Sequence, residues 1–212
     1  MSGIIAQNTL DNSGLIKAPA GGGAWNFIKK ITASGESTLS FIDGTSDVTF
    51  DSTYSIYVIK WINAHASTES GDAFSAINFT TDGTNFNVTK TTTYFYALHN
   101  ESDSYGGLTY STGHDLAQGS GVSKVTANTG AENDQCSCGK LWIYNPSSTV
   151  FVKHFMSQAS DITPDDAPSS WAQNVFVAGY CNTTSAITGV QFSYTNGANY
   201  DAGDFCLYGI TT

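Results

Sequence analysis

The sequence contains no arginine. All eight basic residues are lysines, set against 18 aspartates and glutamates, for a formal net charge of −10. A nucleic-acid surface needs cations that displace phosphate counterions, and arginine is the usual source of bidentate and stacking contacts. A chain of this charge is repelled by DNA, RNA and anionic lipid alike, so those partners are excluded. Charged residues of both signs make up only 12% of the chain, about half the usual share for a soluble domain.

Other absences narrow the field further. No run approaches the roughly 18 apolar residues of a membrane span. The opening from Met1 to Asn8 has no basic region and no apolar stretch of signal-peptide length, so synthesis in the cytosol is expected. No window of helical length carries an apolar stripe. There is no Gly-x-Ser-x-Gly, no His-Glu-x-x-His and no phosphate loop. The four cysteines, Cys136, Cys138, Cys181 and Cys206, lack the Cys-x-x-Cys spacing of zinc sites. Cys181 and Cys206 lie in apolar runs and read as small hydrophobes.

What the chain does contain is turn and strand chemistry. Ser, Thr, Asn and Gly make up about two-fifths of it, and aromatics 13%, the mix of solvated strand faces and turns around a substantial core. From Ala24 onward, short apolar runs alternate with turn signals. Trp25, Phe27 and Ile31 fall on alternate positions. Leu39 and Phe41 precede Asp43-Gly44, with Val48 and Phe50 beyond, a hairpin signal. Tyr54 to Ile62 is apolar on both faces and reads as a central strand. Ala73 to Phe79, Thr93 to His99, Val175 to Tyr180, Gly189 to Tyr194 and Phe205 to Ile210 read as further strands. Leu141–Tyr144 and Val150–Met156 flank Asn145-Pro146 as the clearest hairpin. Residues 100–135 have few large apolar side chains and read as a long excursion with one short strand near Leu108 to Tyr110.

Nine to eleven such strands predict an all-β fold, a single-domain antiparallel β-sandwich of jelly-roll type over residues 25–212. Residues 1–24 differ in kind. Ile4, Ile5, Leu10, Leu15 and Ile16 are spread among polar residues without period, and Gly21-Gly22-Gly23 follows; the segment reads as an extended N-terminal docking arm or, equally, as a first strand laid on its own sheet.

Chemistry is sparse. His114-Asp115 is the one His-Asp neighbour, and adjacent residues of an extended chain point to opposite faces. A sandwich glycosidase needs two facing carboxylates, whereas Glu36, Asp47, Glu69, Asp72, Glu101 and Asp103 all sit in polar turn contexts. Asp43 with Asp47, Asp165-Asp166, and Asp201 with Asp204 supply oxygen ligands without the spacing of a calcium loop. No catalytic residue, metal or cofactor is expected. Tyr94, Phe95, Tyr96, Tyr105 and Tyr110 cluster around the long loop. They read first as core and interface aromatics, and second as a surface that stacks on sugars.

Four segments carry a resemblance: Ser2 to Lys17, Asp115 to Gly119, Pro146 to Phe155, and Asp204 to Ile210. With these the chain resembles virion proteins encoded by tailed phages of marine bacteria, cyanophages among them, over nearly its whole length. Those proteins often read aromatic-x-x-Ile-x-Pro-x-Thr-Asp after the central strand. This chain has Trp61-Ile-Asn-Ala-His-Ala-Ser-Thr-Glu69 there, without the proline. The resemblance implies a capsid-surface decoration or knob protein on the virion exterior, assembled in the host cytoplasm. It implies docking to the major capsid protein or other virion subunits through Ile4, Ile5, Leu10, Leu15 and Ile16, as a trimer or other symmetric oligomer. The alternative is a tail-fibre or receptor-binding module that holds host surface glycan through Tyr105 and Tyr110.

Overall fold

Alternating apolar and polar positions build strands throughout, and the computed structural model describes residues 25–69, 72–163 and 170–211. Among the described residues there is no helix and there are thirteen strands. In chain order they are β1 (Trp25–Thr32), β2 (Thr38–Ile42), β3 (Ile56–Ala66), β4 (Phe74–Thr80), β5 (Lys90–Asn100), β6 (Gly106–Tyr110) and β7 (Leu116–Gly119). They continue with β8 (Ser123–Asn128), β9 (Ser137–Tyr144), β10 (Lys153–Thr163), β11 (Trp171–Cys181), β12 (Gly189–Tyr194) and β13 (Tyr200–Ile210). The residues of the expected arm, Ile4, Ile5, Leu10, Leu15 and Ile16, lie outside the described residues.

Two antiparallel sheets result. The larger has nine strands in the order β1-β13-β3-β9-β10-β11-β5-β6, with β7 also paired to β5; the smaller runs β2-β12-β4-β8. The all-β, antiparallel expectation holds. Three local expectations do not. Asp43-Gly44 makes no hairpin: the Asp43 carboxylate accepts the Phe50 amide at 2.8 Å, and β2 pairs with β12 instead. Residues 100–135 hold three strands, not one. The strand expected from Val150 starts only at Lys153, leaving Val150 and Phe151 exposed in the loop.

One core lies between the sheets. Tyr57, Ile59 and Trp61 of β3 face it from the larger sheet, with Leu141, Phe155 and Val177 on neighbouring strands; Phe41, Ile77, Phe79 and Phe192 face it from the smaller. Rings meet across the layers at 5.0 Å for Phe79 with Phe155 and 5.9 Å for Trp61 with Phe192. Gly139 sits under the Trp61 ring, where a Cβ would stand 2.2 Å from Cζ2, so the indole requires glycine there. The core also takes in two lysines, on one cross-strand line with Cys181: Lys153 pairs with it from β10 and Lys90 from β5. Lys90 Nζ donates to Asn78 Oδ1 at 2.6 Å and Val88 O at 2.7 Å. Lys153 Nζ donates to Thr184 O at 2.8 Å. Each buried ammonium thereby ties a loop to the sheet edge, which offsets part of its desolvation.

Candidate functional site

The outer face of the nine-stranded sheet is the unusual surface of the molecule. Cross-strand register sets Phe27, Tyr208, Val58, Trp142, Met156, Ala178 and Thr93 in one row from β1 to β5. A solvated sheet face would alternate polar side chains there. Instead Phe27 is 60% exposed and Met156 51%. The Trp25 ring stands edge-on to Trp142 at 5.6 Å and to Tyr208 at 5.5 Å. Those two rings flank Val58, which is fully buried although it points away from the core. The next row places Lys30, Cys206, Lys60 and Lys140 side by side. Lys60 Nζ lies 4.2 Å from the Trp25 ring centre, a cation–π contact that holds the ring in place. With Lys90 and Lys153 buried, these lysines are a large share of the positive charge left outside the core. Lys30 is paired with Asp204 at 3.1 Å, so on the β1-side half of the face Lys60 and Lys140 supply the positive charge beside the aromatics.

The β5-side half is concave. A groove of about 560 Å³ is lined by Tyr110, Asp115, Thr93, Tyr144, His154 and Tyr180 among others. Its floor is a register product: His154 pairs with Tyr180, and Tyr180 with Thr91, while Tyr144 follows Ile143 on the neighbouring strand. Its wall is the β6–β7 connection. There the chain dips inward at His114, whose ring packs against Phe74 at 4.7 Å and Tyr94 at 5.0 Å; burial lowers the His114 pKa first, and the Lys124 charge adds to it. Asp115 returns to the outer side and accepts the Tyr110 hydroxyl at 2.7 Å, a contact that raises the phenol's pKa. The expected opposition of His114 and Asp115 is what the chain does, and the two side chains never meet.

The groove side chains are braced. Gln118, at a left-handed φ of 52°, donates through Nε2 to Thr91 Oγ1 at 2.8 Å and to the Tyr180 hydroxyl at 3.2 Å. Its Oε1 accepts Asn182 Nδ2 at 2.6 Å. A non-glycine residue in that conformation persists only where its surroundings hold it. Of the two tyrosines expected on a glycan surface, the structure brings Tyr110 into this groove. Tyr105 is elsewhere, exposed and packed edge-on against Trp171 at 5.5 Å. Tyr144, His154 and Tyr180 were not expected at a site; the outward alternation of aromatic positions on both-face apolar strands is the signal that marks them.

A second, smaller hollow of about 330 Å³ lies by the β3 bulge, lined by Asn63, His65, Cys136 and Asp201. His65 Nδ1 contacts Asp201 Oδ1 at 2.7 Å and Nε2 contacts Glu132 O at 3.1 Å. Both ring nitrogens thus face an oxygen atom. The Cys136 and Cys138 thiols converge on Asn63 Oδ1, at 3.8 and 3.5 Å; burial raises the Cys136 pKa, with Cys138 beside it adding to the effect. Among the described residues no three of His, Cys, Asp and Glu are grouped to hold a metal ion.

Comparison with protein-family models, with curated proteins and with solved structures found no match.

Elsewhere the titratable groups of the described core are structural in their setting. Asp161 is buried against Ala127, whose amide donates to Oδ2 at 3.0 Å. Burial pushes its pKa up to about 7, against the opposing pull of the Ser137 and Ala127 hydrogen bonds. Trp61 Nε1 donates to the Ser137 hydroxyl at 2.9 Å. Asp204 is bound to Thr32 Oγ1 at 2.6 Å and Lys30 Nζ at 3.1 Å, and Asp201 to His65, so both carboxylates of that expected oxygen-rich pair are engaged in side-chain contacts.

Proposed function

We propose that this chain is a surface component of a phage particle that acts by contact, a decoration or knob protein docked on the major capsid protein or another virion subunit. One observation supports it above the rest: the aromatic row Trp25, Phe27, Trp142 and Tyr208 beside Lys30, Lys60 and Lys140. Contiguous exposed apolar surface marks an interaction site, and Trp, Tyr and Phe are enriched at interface centres, with charged groups such as lysine at the polar rim. Lysines on an otherwise acidic chain orient it toward an acidic partner. On this reading the two sheets form a jelly-roll-like sandwich. Residues 1–24, which lead into Trp25 at the edge of this row, are an arm that extends the same contact through Ile4, Ile5, Leu10, Leu15 and Ile16. Symmetric copies, as a trimer or other closed oligomer, would share it. The acidic balance suits a virion exterior that must not capture nucleic acid.

Two alterations test the docking. Phe27→Asp changes an exposed position and leaves the core alone, and deletion of residues 2–20 removes most of the arm. Both should lower incorporation into particles while the isolated domain keeps its melting temperature. Unchanged incorporation in both would refute the docking surface.

A second reading is favoured by the groove. Tyr110, Tyr144 and Tyr180 beside Asp115 have the make-up of a small-molecule site, apolar and aromatic with few polar groups. On this reading the exposed half of the sheet recognises host surface glycan, in a receptor-binding or tail-associated position.

A further inference from the structure

We infer that the groove between β7 and the β9–β10–β11 floor binds a short stretch of uncharged saccharide and discriminates against sulfated and uronic-acid chains. This rests on the glycan reading of the same site and adds the class of sugar.

A pyranose offers one face of C–H groups and a rim of hydroxyls. The groove supplies partners for both. Tyr180 and Tyr144 stand on the outer side of adjacent sheet positions with His154 between them, its ring 6.1 Å from that of Tyr180. They form an aromatic floor that a C–H face can cover. The Asp115 carboxylate takes one hydrogen bond from Tyr110 and, being acceptor-only with two oxygens, has capacity left for sugar hydroxyls. Thr91, Thr93 and His154 add hydrogen-bonding groups along the edge. A volume of about 560 Å³ falls within the span of small-ligand sites, roughly 300–1,000 Å³.

Charge decides the class. None of the lining residues is lysine, and the single fixed charge among them is Asp115. The chain as a whole carries −10. A sulfate or carboxylate in this groove would lose hydration and meet a like charge without a cation to pair with. A neutral hydroxyl meets an acceptor. The lysines of the same sheet lie on the other half of the face, in the row of Lys30, Lys60 and Lys140.

Pre-organisation makes the site usable. Gln118 fixes the Tyr180 hydroxyl and is itself fixed by Asn182; Asp115 fixes Tyr110. Side chains already held in one rotamer lose little freedom on binding, which is the main cost for a ligand that offers weak individual contacts. The strained backbone at Gln118 is the structural signature of that bracing.

The test uses isotope-labelled full-length protein, titrated with neutral hexasaccharides (cello-, laminari-, malto-, manno- and galacto-series) and with sulfated or uronate counterparts, read by amide shifts. At least one neutral series should move the amides of residues 91–93, 115–118 and 178–180, and its sulfated form should not. Tyr180→Ala should weaken that binding at least tenfold, and Tyr110→Ala, at a half-exposed position, should weaken it with no change in melting temperature. Asp115→Lys should let a sulfated chain bind where it did not. If charged chains bind the groove of the unaltered protein as tightly as neutral ones, the sugar class is wrong while the glycan reading stands. If no saccharide moves those amides, both readings of the groove fail.

Discussion

Asp161 on β10 and Ala127 on β8 are joined across the two sheets by a 3.0 Å hydrogen bond from the Ala127 amide to the Asp161 carboxylate. The residue that clips the layers together is thus one whose charge the core disfavours. Its pKa stands raised to about 7, from 3.8 in an open chain, with burial as the first cause. Between those values the folded state holds a proton that the unfolded state has released. The contribution of Asp161 to stability is therefore full below about pH 4 and is lost as the pH rises through about 7.

Asp161→Asn keeps an oxygen for the Ala127 amide and removes the ionisation. The variant should melt higher than the unaltered protein at pH 8, by at least about 2 °C for a chain of this size, and the gap should close toward pH 4.5. Thermal unfolding across that range checks it. Equal melting temperatures at pH 8 would mean the carboxylate is not destabilising.

Lys90 gives the opposite slope. Burial lowers its pKa to about 8, with the nearby Cys181 opposing the effect. Above pH 8 the folded state sheds a proton that the unfolded chain keeps up to about 10.5, so stability should rise through that window. The urea midpoint should increase between pH 7.5 and pH 9.5. In Lys90→Met that increase should be smaller. A parallel pH dependence in both proteins would exclude Lys90 as its source.

The packing of Trp61 can be read by one methyl group. Gly139→Ala places a Cβ within 2.2 Å of the indole and 2.7 Å of the Gln158 carbonyl. Overpacking of this kind costs about 1–3 kcal/mol, which a lowered melting temperature and an altered tryptophan emission should report. An unaltered spectrum would show that the ring has room to move.

Thiol chemistry separates the four cysteines. Cys138 is exposed and Cys136 half-buried, while Cys181 and Cys206 are buried. Burial pushes the Cys181 thiol up to about 12, so it should resist alkylation at pH 8. Cys138 should label first and Cys136 next, and the other two only after denaturation. Early labelling of Cys181 would indicate an opening of the β10–β11–β5 edge.

Much of this architecture is legible in the sequence, where the apolar period is strong. The alternation of Tyr57, Ile59 and Trp61 with Ile56 and Val58 marks β3 as covered on both sides. The runs either side of Asn145-Pro146 mark the β9–β10 pairing. What was not legible has a physical cause in each case. β7 is a strand of only four residues, with its two central positions exposed. β8 buries Ser123 and Thr126 as well as Val125 and Ala127, and polar side chains inside a core give no hydrophobic signal. Lys90 and Lys153 look like surface charge until the carbonyls that receive them are known. Asp43-Gly44 has the residues of a hairpin turn, but the strand that claims β2 is β12, far along the chain.

The groove was the least visible. Tyr110 belonged to a recognisable aromatic cluster. Tyr144, His154 and Tyr180 come from three strands, and only the register of β9, β10 and β11 sets them in one row. Tyr105 belonged to the same sequence cluster as Tyr110 and was carried to Trp171 instead, because sequence proximity says little about which side of a loop a side chain leaves.

The proposed role requires the β1-side face of the larger sheet to seat on another particle subunit. Lysine footprinting of intact particles beside the free protein tests it most directly, with modification read residue by residue by mass spectrometry. Lys60 and Lys140 should be modified readily in the free protein and strongly protected in the particle. Equal modification in both states, or absence of the protein from purified particles, would contradict it.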